Sequence, residues 1–168
     1  MQKVLVPVDG SASSGHAIKD IIRRHQKSEA MEIHLLNVQP PLPRYITRFL
    51  SRRQVQAWQR DEGTRAFATA MATLDAAGIH YQRHAKMGDK VEVITQFAKL
   101  HCCDLIVMGS GRKSSFIRFL ESSLTNRVME HTQAPVKVVP GEEPSALERY
   151  GVATGLGIGL VLWLLAND

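Results

Sequence analysis

Asp104-Leu-Ile-Val-Met108-Gly-Ser-Gly-Arg112-Lys-Ser-Ser-Phe-Ile-Arg118-Phe-Leu-Glu121-Ser-Ser-Leu-Thr125 is the stretch on which the reading of this chain turns. Leu105 to Met108 is a short, wholly apolar run, as in a strand buried on both faces. Gly109 and Gly111 then predict a tight turn, with Arg112 and Lys113 beside it and a serine-rich lead into a helix. Such a turn gathers backbone N–H groups, and the helix N-terminus adds partial positive charge, so the stretch reads as an anion cradle suited to a phosphate. The plainer alternative is an ordinary β–α turn that uses glycine for its conformational freedom.

The segments around it repeat that alternation. Lys3-Val-Leu-Val-Pro-Val-Asp9 predicts a first buried strand, and Gly10-Ser11 turns into a helix that Ser11 or Ser13 can cap. Ala17, Ile18, Ile21 and Ile22 give this helix an apolar stripe. Met31 to Val38 is the second strand, stopped by Gln39-Pro-Pro-Leu-Pro43. Residues 44–77 are helical in pattern, with Gly63 expected to weaken or end a first, basic amphipathic piece carrying Arg44, Arg48, Arg52 and Arg53. These arginines suit either a solvated face or attraction to an anionic surface. Ile79 to Lys86 alternates and is more polar, as an edge strand would be. Asp89 caps a helix over Val91 to His101, and the fourth strand, a helix from Ser123 to His131 and a short strand Val136 to Val139 follow.

Five strands alternating with helices predict an α/β doubly wound parallel sheet. In the common order 3-2-1-4-5 the winding reverses between the first and fourth strands, where ligands bind beyond the strands' carboxyl ends. Asp9-Gly10 and Gly109-Ser110-Gly111 would then converge on one crevice.

With 168 residues, 44% of them hydrophobic, the chain suits one domain with a substantial core. Its only two cysteines, Cys102 and Cys103, are adjacent, which rules out a disulfide framework and fits two small buried thiols rather than a redox switch. No hydrophobic leader opens the sequence, so the cytoplasm is the expected compartment. The net charge of +5 suits an anionic partner without choosing among nucleotide, nucleic acid and lipid head group, and no motif points to a specific nucleic acid.

Several separated blocks resemble the universal stress protein family: Val4-Leu-Val-Pro-Val-Asp-Gly-Ser11, Leu35-Leu-Asn-Val38, Met87-Gly-Asp89, Cys103 to Arg112 and Ala134-Pro-Val-Lys-Val-Val-Pro140. The resemblance spans residues 1–140 and implies an adenine nucleotide alpha-hydrolase-like fold, a regulatory role in the stress response, and a homodimer formed by the last strand, Val136 to Val139. It implies ATP or AMP in the crevice, with Pro7, Asp9 and Val38 at the adenine and ribose end and Gly109, Gly111, Ser122 and Ser123 at the phosphate end. Nucleotide-binding members show a glycine, two residues, a second glycine, nine residues, then glycine with Ser or Thr. In this chain Ser110 alone separates the first two glycines, and Glu121 stands in the third glycine position. A carboxylate about 5 Å from a phosphate, at an effective dielectric near 20, costs roughly 3 kcal/mol, more than a hundredfold in affinity. Arg112, Lys113 and Arg118 offset part of that, so weak adenylate binding is the expectation.

No catalytic constellation accompanies these residues. The histidines lack metal-ligand spacing, no P-loop lysine motif is present, and Asp9 has no base or nucleophile beside it, so a non-enzymatic role is expected. Residues 141–150 read as a linker. The uncharged run Gly151 to Ala166 would be about 24 Å long as a helix, short against a hydrocarbon core of about 30 Å. Gly151, Gly155 and Gly159 would share one face of it. This tail either contacts a membrane or membrane protein, making the chain a nucleotide-independent tethered accessory subunit, or docks on its own domain.

Overall fold

The computed structural model describes residues 1–112 and 124–141. They form the expected α/β sheet, with strands in the order β3-β2-β1-β4-β5, every neighbouring pair parallel. The strands are β1 (Gln2–Pro7), β2 (Met31–Gln39), β3 (Tyr81–Met87), β4 (Leu105–Arg112) and β5 (Val136–Gly141). The helices are α1 (Ala12–Gln26), α2 (Arg44–Thr47), α3 (Arg52–Ala76), α4 (Lys90–Leu100) and α5 (Leu124–His131).

Alternation along the strands sorts their side chains to the two faces. Val4, Val6, Ile33 and Leu35 pack with Ile18 and Ile21 of α1 and with Phe67 and Leu74 of α3. Leu5, Leu36, Ile106 and Met108 pack with Ile94 and Phe97 of α4 and with Val128 of α5. Burying a side chain of this size contributes about 1.5–3 kcal/mol, so both layers of helix are held chiefly by apolar contact. The helix starts follow from single residues. The Ser11 hydroxyl accepts from the Ser14 N–H at 3.2 Å, and Asp89 accepts from the Val91 and Glu92 N–H groups at 2.9 and 3.1 Å. Where β4 begins, the Asp104 carboxylate accepts from the Lys3 N–H at 2.7 Å while its own N–H donates to the Lys3 carbonyl at 2.8 Å, fixing β4 against β1.

Of the two thiols expected to be buried, only Cys103 is, while Cys102 at the end of α4 is exposed. Three further expectations are corrected. Gly63 does not end a helix, because α3 runs unbroken from Arg52 to Ala76. The break comes earlier, after the single turn of α2, where Ser51 and Gln54 form a capping box that starts α3. The arginine-rich segment is therefore not one continuous amphipathic helix. Gly63 is there for close approach: a Cβ on it would come within 3.2 Å of Gln39 Nε2. Third, Gly109 to Gly111 is not a turn. β4 continues to Arg112 because β5 reaches Gly141 beside it, and the pairing absorbs one irregularity between Gly109 and Arg112. The linker beyond Gly141, the apolar tail, Ser122 and Ser123 lie outside the described residues. Among the described residues no helix is long and apolar enough to cross a membrane.

Candidate functional site

The sheet order places the carboxyl ends of β1 and β4 side by side at the switch point, and a cavity of about 430 Å³ opens there. That volume lies within the usual range of small-molecule sites. Leu36, Val38, Ile94 and Met108 give it an apolar interior, with Pro7 and Val8 on the β1 side. Its polar groups are Asp9, the serines Ser11, Ser13 and Ser14 of the first turn of α1, Lys90 at the start of α4, and Thr125 of α5.

Asp9 follows the last residues of β1, and Gly10 turns the chain away with φ of +78°, a conformation side chains disfavour. Asp9 Oδ1 accepts from the Ser11 N–H at 3.0 Å. Burial alone raises the Asp9 carboxyl, but hydrogen bonds from Ser11 and Ser14 and the charge of Lys90 outweigh it and hold the group below the usual carboxylate range. The crevice thus presents one negative side chain, Asp9, and one positive, Lys90. The N-terminal turn of α1 adds the positive end of a helix dipole.

Asn37 fixes the geometry from below. Its Nδ2 donates to the Val8 carbonyl at 2.8 Å, and its Oδ1 accepts from Gln39 Nε2 at 3.1 Å, which also donates to the Gln59 carbonyl of α3 at 2.9 Å. This buried chain of amides ties the end of β1 to β2 and α3.

Pro7, Asp9, Val38 and Gly109 all lie in the lining of this cavity. Gly111 lies further along β4. Gly109 has a different reason to be glycine from the one its sequence setting suggests. A Cβ there would stand 1.6 Å from the Ser13 carbonyl oxygen, so this position is where β4 meets the backbone of α1. Ser14, Lys90 and Thr125 were not singled out by sequence reasoning. Ser14 belongs to the Ser-Ala-Ser-Ser run after Asp9-Gly10, and Lys90 directly follows the Asp89 cap, so the cap was the available signal. Among the described residues no group of three or more His, Cys, Asp or Glu is arranged to hold a metal ion.

A family model described as the universal stress protein family matches residues 1–140. The chain belongs to the universal stress protein family. A universal stress protein of Methanocaldococcus jannaschii is 27% identical over 146 residues, which cover 82% of this chain and 81% of the relative. A member of the family from Arabidopsis thaliana, solved with AMP bound, superposes with a TM-score of 0.63 at 20% identity, covering 87% of this chain and 97% of that one. A universal stress protein solved in complex with cAMP gives a TM-score of 0.61 at 21% identity, covering 82% and 96%. The fold shared with these structures is the adenine nucleotide alpha-hydrolase-like sheet.

Proposed function

We infer that this chain is a regulatory protein of the stress response whose crevice takes an adenine nucleotide, with AMP favoured over ATP. The observation that carries this reading is the pairing of Asp9 with an apolar slot at the switch point of the sheet. Val38, Ile94 and Met108 offer flat apolar contact to a purine. The Asp9 carboxylate, held ionised by Ser11, Ser14 and Lys90, is an acceptor for a ribose hydroxyl. The start of α1 and the ammonium of Lys90 supply the charge a single phosphate needs. Two features support a preference for one phosphate over three. Glu121 replaces the third glycine of the family's phosphate pattern, and Gly109 is occupied by its contact with α1. That the Arabidopsis relative holds AMP and another holds cAMP agrees with this choice.

The reading is one of binding: the Ser11 N–H bond to Asp9 Oδ1 leaves further acceptor sites on the carboxylate for a ribose hydroxyl, and among the described lining residues Asp9 is the one carboxylate and there is no histidine. Among the described residues β5 pairs only with β4, and its other edge suits a homodimer built by strand pairing across a two-fold axis.

Equilibrium dialysis of the full chain against labelled AMP and ATP tests the proposal. AMP is expected to be retained with a Kd between about 0.1 and 1 mM, with ATP weaker. Asp9→Asn should weaken AMP about tenfold, the worth of one charge-assisted hydrogen bond. Absence of retention at millimolar AMP, or an unaltered Kd in Asp9→Asn, overturns it.

A further inference from the structure

We propose that His34, His84 and His101 form a proton-sensitive regulator through which acid displaces α4 and weakens ligand binding in the crevice, a regulation that rests on the crevice being an adenine nucleotide site. The three rings come from β2, β3 and the residue that closes α4, and their centroids stand 5.3, 5.6 and 5.8 Å apart. His34 is 3% exposed, while His84 is half-buried and His101 exposed, so protons enter from the outer pair. His34 Nδ1 lies 3.1 Å from His84 Nε2. One of these nitrogens must lack a proton to accept from the other, whereas two charged rings would turn two N–H groups on each other. Phe97 closes the cluster, its ring 4.0 Å from His101 and 4.7 Å from His84, and it offers a second charge no acceptor. Lys3 of β1 and Lys86 of β3 add positive charge nearby, and Cys103 stays a neutral thiol because burial pushes it upward. Glu32 of β2 opposes them, with Oε1 3.3 Å from His34 Nε2, and Gln82 of β3 also donates to that oxygen at 3.3 Å.

The strain of added charge falls on α4. β2 and β3 are paired from Ile33 and Tyr81 through to Gln39 and Met87, so parting them would break a ladder of backbone bonds. α4 satisfies its backbone internally and is held by the apolar contacts of Val91, Ile94, Phe97 and Ala98. Moving its last turn outward brings water to the charged rings without breaking a sheet bond. With α4 seated, burial above all lowers both His34 and His84, so proton uptake favours the displaced helix. The same helix walls the crevice: Lys90 and Ile94 line the cavity, and Ile94 stands about 10 Å along the axis from His101. His34, Leu36 and Val38 alternate onto one face of β2, and Leu36 and Val38 line the cavity, so cluster and crevice wall are successive parts of one layer. A shift that separates Phe97 and His101 from His34 and His84 withdraws Ile94 and Lys90 from the crevice, and protons and nucleotide then select different positions of α4.

The test is equilibrium dialysis of the full chain against labelled adenosine at about pH 7.5 and about pH 5.5, with AMP in parallel. Adenosine lacks the phosphate that takes up a proton at about pH 6 in AMP, so its pH dependence belongs to the protein. Its Kd is expected to rise about tenfold at the lower pH. His84→Gln should match the parent at about pH 7.5 and show at most about a threefold rise. In NMR of the unliganded chain the Ile94 methyl signal should follow the His84 titration, and saturating adenosine should move the His84 midpoint to lower pH, by reciprocity. Equal adenosine affinity at the two pH values, the full rise retained in His84→Gln, or an Ile94 signal indifferent to the histidines each overturn the regulation while leaving nucleotide binding intact. Loss of the folded circular dichroism signal at about pH 5.5 also overturns it, since acid would then act on the whole fold. Failure to retain adenosine or AMP at about pH 7.5 sinks the crevice reading and the regulation with it.

Discussion

The two faces of the sheet do different work. On the face covered by α1 and α3 the apolar cluster is aliphatic except Phe67, the buried Asp20 carboxylate of α1 is paired with Lys137 at 2.8 Å, and one strand touches helix backbone directly, Gly109 against Ser13. On the face covered by α4 and α5 the apolar cluster contains the Cys103 thiol, which burial pushes upward, and it borders three histidines. His34 Nδ1 lies 3.1 Å from His84 Nε2, and Phe97 stacks on His101 with ring centroids 4.0 Å apart. Glu32 Oε1 is 3.3 Å from His34 Nε2 without a well-aligned hydrogen bond. The first face therefore fixes geometry, and the second makes the same fold sensitive to protons.

The sharpest way to break this comparison is Gly109→Ala. Its methyl group would overlap the Ser13 carbonyl oxygen, so either α1 moves off the sheet or the helix start unwinds. A loss of about 4 kcal/mol or failure to fold is expected in urea denaturation. A stability within about 1 kcal/mol of the parent would mean that α1 is not seated on β4 as described. Next come Leu74→Ala, on the α1 and α3 face, and Ile94→Ala, on the other, both fully buried. Each should cost about 3 kcal/mol at neutral pH, so the faces are equal as apolar cores. If only Leu74→Ala destabilised, α4 would be packed loosely and the comparison would fail.

Much of this was legible in the sequence because it depends on periodicity. The apolar runs Val4 to Val6 and Leu105 to Met108, the stripe Ala17, Ile18, Ile21 and the Asp89 cap gave the elements and their starts, and the order common to doubly wound sheets gave 3-2-1-4-5. Asp9 and Gly109 were placed in the crevice by topology, and Pro7 and Val38 by the family resemblance. What escaped depends on distances between segments far apart in sequence. Gly63 looks like a helix breaker until the Gln39 amide beneath it is seen, and Gly109 looks like a turn until Ser13 is found against it. His34, His84 and His101 have no shared spacing and meet only because β2, β3 and α4 are stacked.

The smallest effect concerns the histidines and has a definite sign. His34 is lowered by burial first, with His101 and Lys3 adding to the fall and Glu32 opposing it; His84 is lowered by burial, then by His34, His101 and Lys86. Both are therefore neutral in the folded chain under conditions where the unfolded chain, at about pH 6.5, begins to bind protons. Their contribution to stability is fully present above that pH and is lost as pH falls from about 6.5 towards the folded values. Asp9 and Asp89, both lowered, act in the same direction but only below about pH 4, so the two windows separate. Urea midpoints should be level from about pH 7 to 8 and fall from about pH 6.5 to 5, each histidine contributing at most about 1.4 kcal/mol per pH unit. His84→Gln keeps a polar partner for His34 and removes one titrating group, so it should flatten that fall by about the share of one histidine. An unchanged slope in His84→Gln would assign the acid sensitivity to groups outside this cluster and would leave the two faces alike.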